Sequence, residues 1–187
     1  MNKKGRPEID AILKDLERNM SKRRVQLFPA GAYRRGVVAM DRLHIVFVGS
    51  IADVEEILHE MEGITPVGAP RHSDRVLKAY VFGGFEIWFH KAYQSELGSM
   101  LLHHTGSITF NILLASEAKK QGMKLTPTGL WQGEVQIAGR EERQVFKALG
   151  LKYVEPKKRD ITPADAQKGQ VLFYEDIRDG NTPKARV

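Results

Sequence analysis

The chain has 187 residues, a formal net charge of +6, 42% hydrophobic and 28% charged residues, and no cysteine. That length suits one sizeable domain or two small lobes with a real core. The composition excludes disulfides and thiolate metal centres. No apolar run approaches the ~20 residues of a membrane span, and MNKKGRPEID at the N-terminus lacks the apolar stretch of a secretory signal. No membrane association and a cytoplasmic location are therefore expected.

In chain order, residues 8–20 place Ile9, Ile12, Leu13 and Leu16 on one helical face. VQLFPA (25–30) reads as a strand broken at Gly31, and LHIVFV (43–48) as an apolar central strand. ADVEEILHEMEG (52–63) predicts a helix with Ser50 as N-cap and Gly63 as its stop. Residues 76–90 read as a hairpin turning at Gly83-Gly84. Residues 95–104 and 107–122 have helical periodicity, with Gly122 as the residue just past the second helix. KLTPTGLW (124–131) and EVQIAG (134–139) are short extended pieces, and 140–150 is a last helix. From Ile161 onward the chain mixes one apolar stretch, VLFYEDI, with Gly, Pro and basic residues, and reads as a loose strand or appendage. The expected fold class is α+β: an N-terminal helix and mixed-sheet lobe over 1–95, a smaller α+β lobe over 96–160, and a tail over 161–187.

A sequence pI near 9.5 favours polyanionic partners. The positive charge clusters in SKRRV (21–25), YRRG (33–36) and EPKKRD (155–160).

Four segments, in order, carry a family resemblance: AGAYRRG (30–36), HHTGSITFN (103–111), KKQGMKLTPTGLW (119–131) and REERQVFKALGLKYVEPKKR (140–159). They resemble the catalytic core of family X DNA polymerases, the polymerase-beta-like nucleotidyltransferases. That family shows a G-S-[YF]-R-R-G loop, a Y-F-T-G-S-x-x-x-N turn, a short extended piece, and a helix ending in a-L-G-l-x-[YW]-x-x-P. The likeness covers roughly residues 8–160 and implies a nucleotidyltransferase palm followed by a thumb-like lobe.

The resemblance also implies a site. Two divalent metals would be held by an Asp-x-Asp pair on one strand face and a third Asp on a neighbouring strand. The family's positions fall on Arg42, His44 and Glu86, so no metal ligand is assigned. Sliding the alignment by one residue makes Asp41 the first ligand and Leu43 the second, still incomplete. An ion pair between Arg42 and Glu86 filling the old metal position is expected. Nucleotide contacts are implied for Gly31, Ala32, Arg35, Gly36, His103, His104, Gly106, Ser107 and Asn111, with Ala32 replacing the family's serine and the two histidines its Tyr-Phe. DNA contacts are expected at Lys157, Lys158 and Arg159. Arg34 divides evenly between phosphate contact and structural pairing. His44, His90, His103 and His104 read either as scattered histidines or as a metal cluster, the two-residue strand period putting His90 on the face of Glu86 and Trp88.

Three functional readings stay open. The first is a catalytically degenerate family X polymerase-like protein that binds DNA, a nucleoside triphosphate or a protein partner in repair or replication. The second is an active nucleotidyltransferase with an altered metal site, the only case in which Mg²⁺ or Mn²⁺ is an expected cofactor. The third is a structural or protein-interaction module that uses the fold without its chemistry.

Overall fold

The computed structural model describes residues 3–68, 74–81 and 84–167. Strand β1 (Lys4–Gly5) leads into α1 (Arg6–Ser21), and β2 (Gln26–Pro29) into the short helix α2 (Gly31–Arg35). Then come β3 (Ala39–Met40), β4 (Arg42–Val48), α3 (Ile51–Glu60), β5 (Ile64–Gly68), β6 (Val76–Val81) and β7 (Phe85–Lys91). The second half holds α4 (Leu97–Thr105), α5 (Ile108–Lys120), β8 (Lys124–Thr126), β9 (Gly129–Gln132), β10 (Val135–Ala138) and α6 (Glu142–Ala148). A 3-10 turn (Pro156–Lys158) and α7 (Pro163–Gln167) follow. The fold is α+β with a mixed sheet. Gly83 and the VLFYEDI stretch lie outside the described residues.

The larger sheet has the order β2-β4-β7-β6-β5, with β4 and β7 parallel and the other neighbours antiparallel. Alternation along β4 divides the sheet into two faces. Leu43, Ile45 and Phe47 join Ile87 and Phe89 of β7 in a core closed by Ile9, Leu13 and Leu16 of α1 and by Val54, Ile57 and Leu58 of α3. The other face presents Arg42 and His44, and then Val46, which packs with Ala30, Ala92 and Met100 under α4. β5 carries Pro66, which fits its place at the edge of the sheet among the described residues.

A second core joins Leu102, Phe110 and Leu114 to Leu130, Val145, Phe146, Leu149 and Val154. It fills the space between α4, α5, α6 and the sheet β10-β9-β8. The start of α4 is pressed onto the β10–α6 connection: Gly98 and Ser99 donate their amides to the carbonyls of Arg140 (3.0 Å) and Gly139 (2.8 Å). A Cβ at Gly98 would overlap the backbone of Glu141, so only glycine permits this approach. Helix ends follow the sequence: Ser50 accepts from the amide of Asp53, Ser107 from that of Phe110, and Gly122 (φ +70°) ends α5. No helix among the described residues is long and apolar enough to cross a membrane.

Candidate functional site

A cavity of about 740 Å³ opens where the two halves meet. One wall comes from α2 and the start of β4: Gly31, Ala32, Arg35, Asp41, Arg42 and His44. The other comes from the end of α4 and the start of α5: His103, His104, Gly106, Ser107 and Asn111, with Ile108 and Ile112 at the rim. Every residue that the resemblance assigned to nucleotide lines this cavity except Gly36, which lies against the Lys157 side chain. Gly31 lets α2 begin directly against β4 within the first wall. Its φ is +63°, and a Cβ there would come within 3.1 Å of the His44 ring.

The AYRR segment is a helix rather than a loop, and its two arginines brace the other half of the molecule. Arg35 donates to the Thr105 carbonyl (2.9 Å) at the end of α4 and pairs with Asp160 (2.9 Å). A guanidinium there satisfies one of the orphan carbonyls of a helix C-terminus. Arg34 makes two bonds to Glu142, at 2.8 and 2.7 Å, and one to the Thr105 hydroxyl at 2.9 Å. Of the two readings given to Arg34, structural pairing is the one the geometry carries.

Arg159 requires a correction. The basic run suggested a DNA contact, yet Arg159 is 0% exposed. Its guanidinium donates to the Val154 carbonyl (2.9 Å) and to Glu142 (2.8 Å), and it lies among Phe110, Phe146 and Tyr153. A buried, paired arginine cannot reach phosphate. Lys157 and Lys158 are exposed on the turn just before it.

Arg42 and Glu86 are register partners on the parallel strands β4 and β7, so they share a face as expected. The ion pair expected between them is not what forms. Arg42 pairs with Asp41 at 3.6 Å, and Glu86 accepts the indole N–H of Trp88 at 2.8 Å. The β-strand period explains the second contact, since Glu86 and Trp88 are same-face neighbours. Glu86 does not line the cavity. The hard divalent cations implied by the resemblance do not fit this donor set. They require several anionic oxygens converging on one point, and the positions offer a guanidinium, an imidazole and a carboxylate engaged by an indole.

His44 instead meets His90 and His104. The Nδ1 of His44 lies 3.0 Å from Nε2 of His90, and the His90 and His104 rings stack at 3.7 Å. Burial is the main cause that pushes all three below the ordinary histidine range, to about 4 for His44, about 3 for His90 and about 2 for His104. Arg42 adds to this at His44, and the neighbouring imidazoles add to it at the other two. All three are neutral imidazoles at physiological pH. His103 points to the exposed rim and edges onto His104 at 4.9 Å, outside the trio.

Ser107 and Asn111 have structural work in the same place. The Ser107 hydroxyl caps α5 and donates to the Ile161 carbonyl (3.1 Å), and Asn111 donates to the His103 carbonyl (2.6 Å). Sequence reasoning missed Ile108 and Ile112, which are 81% and 63% exposed on the cavity rim. Their i, i+4 spacing on α5 was the available signal.

Residues 100–160 match the family model of the DNA polymerase beta thumb. DNA polymerase IV of Saccharomyces cerevisiae is 39% identical over 66 residues, which are 35% of this chain and 11% of the yeast protein. Repair DNA polymerase X of African swine fever virus is 26% identical over 141 residues, covering 62% of this chain and 81% of the viral protein. The version from another isolate is 33% identical over 82 residues, 47% of its length. The chain thus matches a small part of the yeast polymerase and most of the first of these viral ones.

Proposed function

For a chain that is family X polymerase-like, we propose a role in binding DNA and a nucleoside triphosphate, in repair or replication, without templated nucleotide addition. The observation that carries it is the make-up of the cavity. The residues matching the family's phosphate loop and nucleotide turn converge there, while the strand that would hold the metals presents Arg42 and His44. Residues 1–95 are then a palm-like lobe, 96–160 a thumb-like lobe and 161–187 a tail.

Binding would run through phosphates. Lys157 and Lys158 extend from the turn that abuts α2. Exposed Ile108 and Ile112 offer an apolar rim against sugar or base. Arg35 serves phosphate only when it exchanges its bond to Asp160 for one to the ligand, because that pair now occupies it.

A binding titration with gapped and intact duplex DNA at several salt concentrations tests this reading. Lysine–phosphate contacts release counterions, giving a log–log slope near −0.9 for each contact. With about two to four contacts, affinity should fall by roughly one to two orders of magnitude between 50 and 200 mM salt. No binding to either DNA at low salt rejects the reading and leaves the protein-interaction module in its place.

A further inference from the structure

We infer that His44, His90 and His104 form a binding site for one divalent transition-metal ion of the zinc class, with a fourth coordination position open to the cavity. The inference rests on geometry alone and stands independently of the DNA-binding reading.

The three side chains come from different elements: His44 from β4, His90 from the parallel neighbour β7, and His104 from the last turn of α4. His44 pairs in register with Trp88, so His90 is its diagonal neighbour on the same face. Helix α4 lies over that face and brings His104 down onto it. One nitrogen from each ring lies within 4.8 Å of the other two. Tetrahedral zinc with Zn–N bonds of ~2.0–2.1 Å places its ligand nitrogens roughly 3.3 Å apart. The His44–His90 pair, at 3.0 Å, is already at that spacing. His104 completes the set by turning its ring out of the stack on His90.

The chemistry selects the ion. Imidazole nitrogen suits zinc, cobalt, nickel and copper, whereas magnesium demands oxygen donors. Two of the three ligands, His44 and His104, line the cavity, while His90 lies behind them at 6% exposure. Three protein ligands facing an opening leave the fourth position to a water or to an anionic oxygen such as that of phosphate. The positive charge of Arg42 nearby is answered by Asp41, and that of Arg35 by Asp160.

The test uses the full chain without a histidine tag. Zn²⁺, Co²⁺ and Mg²⁺ are titrated singly by calorimetry, and the Co²⁺ complex is followed by its visible spectrum. The expected result is one Zn²⁺ or Co²⁺ per chain, a tetrahedral cobalt spectrum that changes when inorganic phosphate is added, and no Mg²⁺ binding. His44→Ala, His90→Ala and His104→Ala should each lose more affinity than the ~10–100-fold typical of removing an outer-shell partner. His59→Ala, on the exposed end of α3, should bind as the parent does. Imidazole NMR of the parent chain keeps the test decisive if a variant fails to fold: Zn²⁺ should shift the resonances of these three rings and leave His59 unmoved. Absence of stoichiometric Zn²⁺ binding, or binding undiminished in all three variants, overturns the site. A cobalt spectrum that phosphate leaves unchanged overturns the open position.

Discussion

Arg34 reaches from the sheet lobe to Glu142 of the second lobe through two bonds, Nη1–Oε1 at 2.8 Å and Nη2–Oε2 at 2.7 Å. Arg159 adds a third bond to the same carboxylate, and the Tyr153 hydroxyl a fourth at 3.0 Å. One carboxylate is therefore shared by two guanidiniums, one of them wholly buried. Glu142→Ala strands both charges, and breaking a buried pair in this way costs about 3–5 kcal/mol. Urea unfolding should report a loss of that size, with both cores affected because the network joins them. A loss under ~1 kcal/mol would mean that water replaces the carboxylate.

The same carboxylate sets part of the acid response. Burial pulls the Glu142 carboxyl upward, but bonds from Arg34 and Arg159 outweigh burial and hold it below the ordinary value of 4.5. A carboxyl depressed in the folded state contributes stability that is present above its unfolded value and lost as pH falls through the folded one. Parent and Glu142→Gln stabilities measured from pH 6 to 2 should therefore converge below about pH 4.5. A constant gap across that range would assign the effect of Glu142 to packing instead of charge.

Much of this arrangement was legible in the sequence, and the rest was hidden for identifiable reasons. Strand period and the family resemblance placed Arg42, His44 and Glu86 on one face, because alternation is a local property of each strand and only the β4–β7 register had to be supplied. Arg159 was misread because KKR looks like a solvated run. Its burial depends on Glu142, 17 residues away, and on three aromatic side chains that no local pattern connects to it. The Arg42–Glu86 pair failed for the opposite reason: nearer partners, Asp41 and Trp88, took each group first. The histidine trio needed α4 folded over β4, a tertiary relationship that spacing does not encode. His103 was grouped with it on adjacency, though successive helical residues point about 100° apart.

Lys157 and Lys158 are the exposed members of the basic run. Changing both to Gln should flatten the salt dependence of DNA binding by about 0.9 in log–log slope for each lost contact, without altering sequence preference. Arg159→Gln should instead lower stability and leave the slope of the folded fraction unchanged. The reverse pattern would return Arg159 to the DNA surface.

In the proposed reading a phosphate would have to displace Asp160 from Arg35, and the pair is partly exposed. Removing an exposed pair of this kind frees ~0.2–1 kcal/mol. Asp160→Asn should then strengthen triphosphate binding by up to about fivefold in a fluorescent-nucleotide titration, whereas Arg35→Gln should weaken it. Equal weakening in both variants would show that the pair serves only to hold α2 against the end of α4.

Gly98 allows α4 to touch the β10–α6 connection. Ala at this position meets backbone that cannot turn aside, and overpacking of that kind costs ~1–3 kcal/mol. Thermal unfolding should fall accordingly, and unchanged stability would indicate that the two segments part freely.

DNA and nucleotide are proposed to occupy the cavity, beside a strand that lacks the oxygen donors for two-metal chemistry. A primer-extension time course on gapped DNA checks this, with all four deoxynucleoside triphosphates, in Mg²⁺ and separately in Mn²⁺, at protein concentrations where anisotropy shows the gap to be occupied. The expected outcome is occupied DNA and no extended primer in either metal. Metal-dependent extension by the pure chain, abolished by Glu86→Ala, would contradict it and establish an active nucleotidyltransferase with an altered metal site.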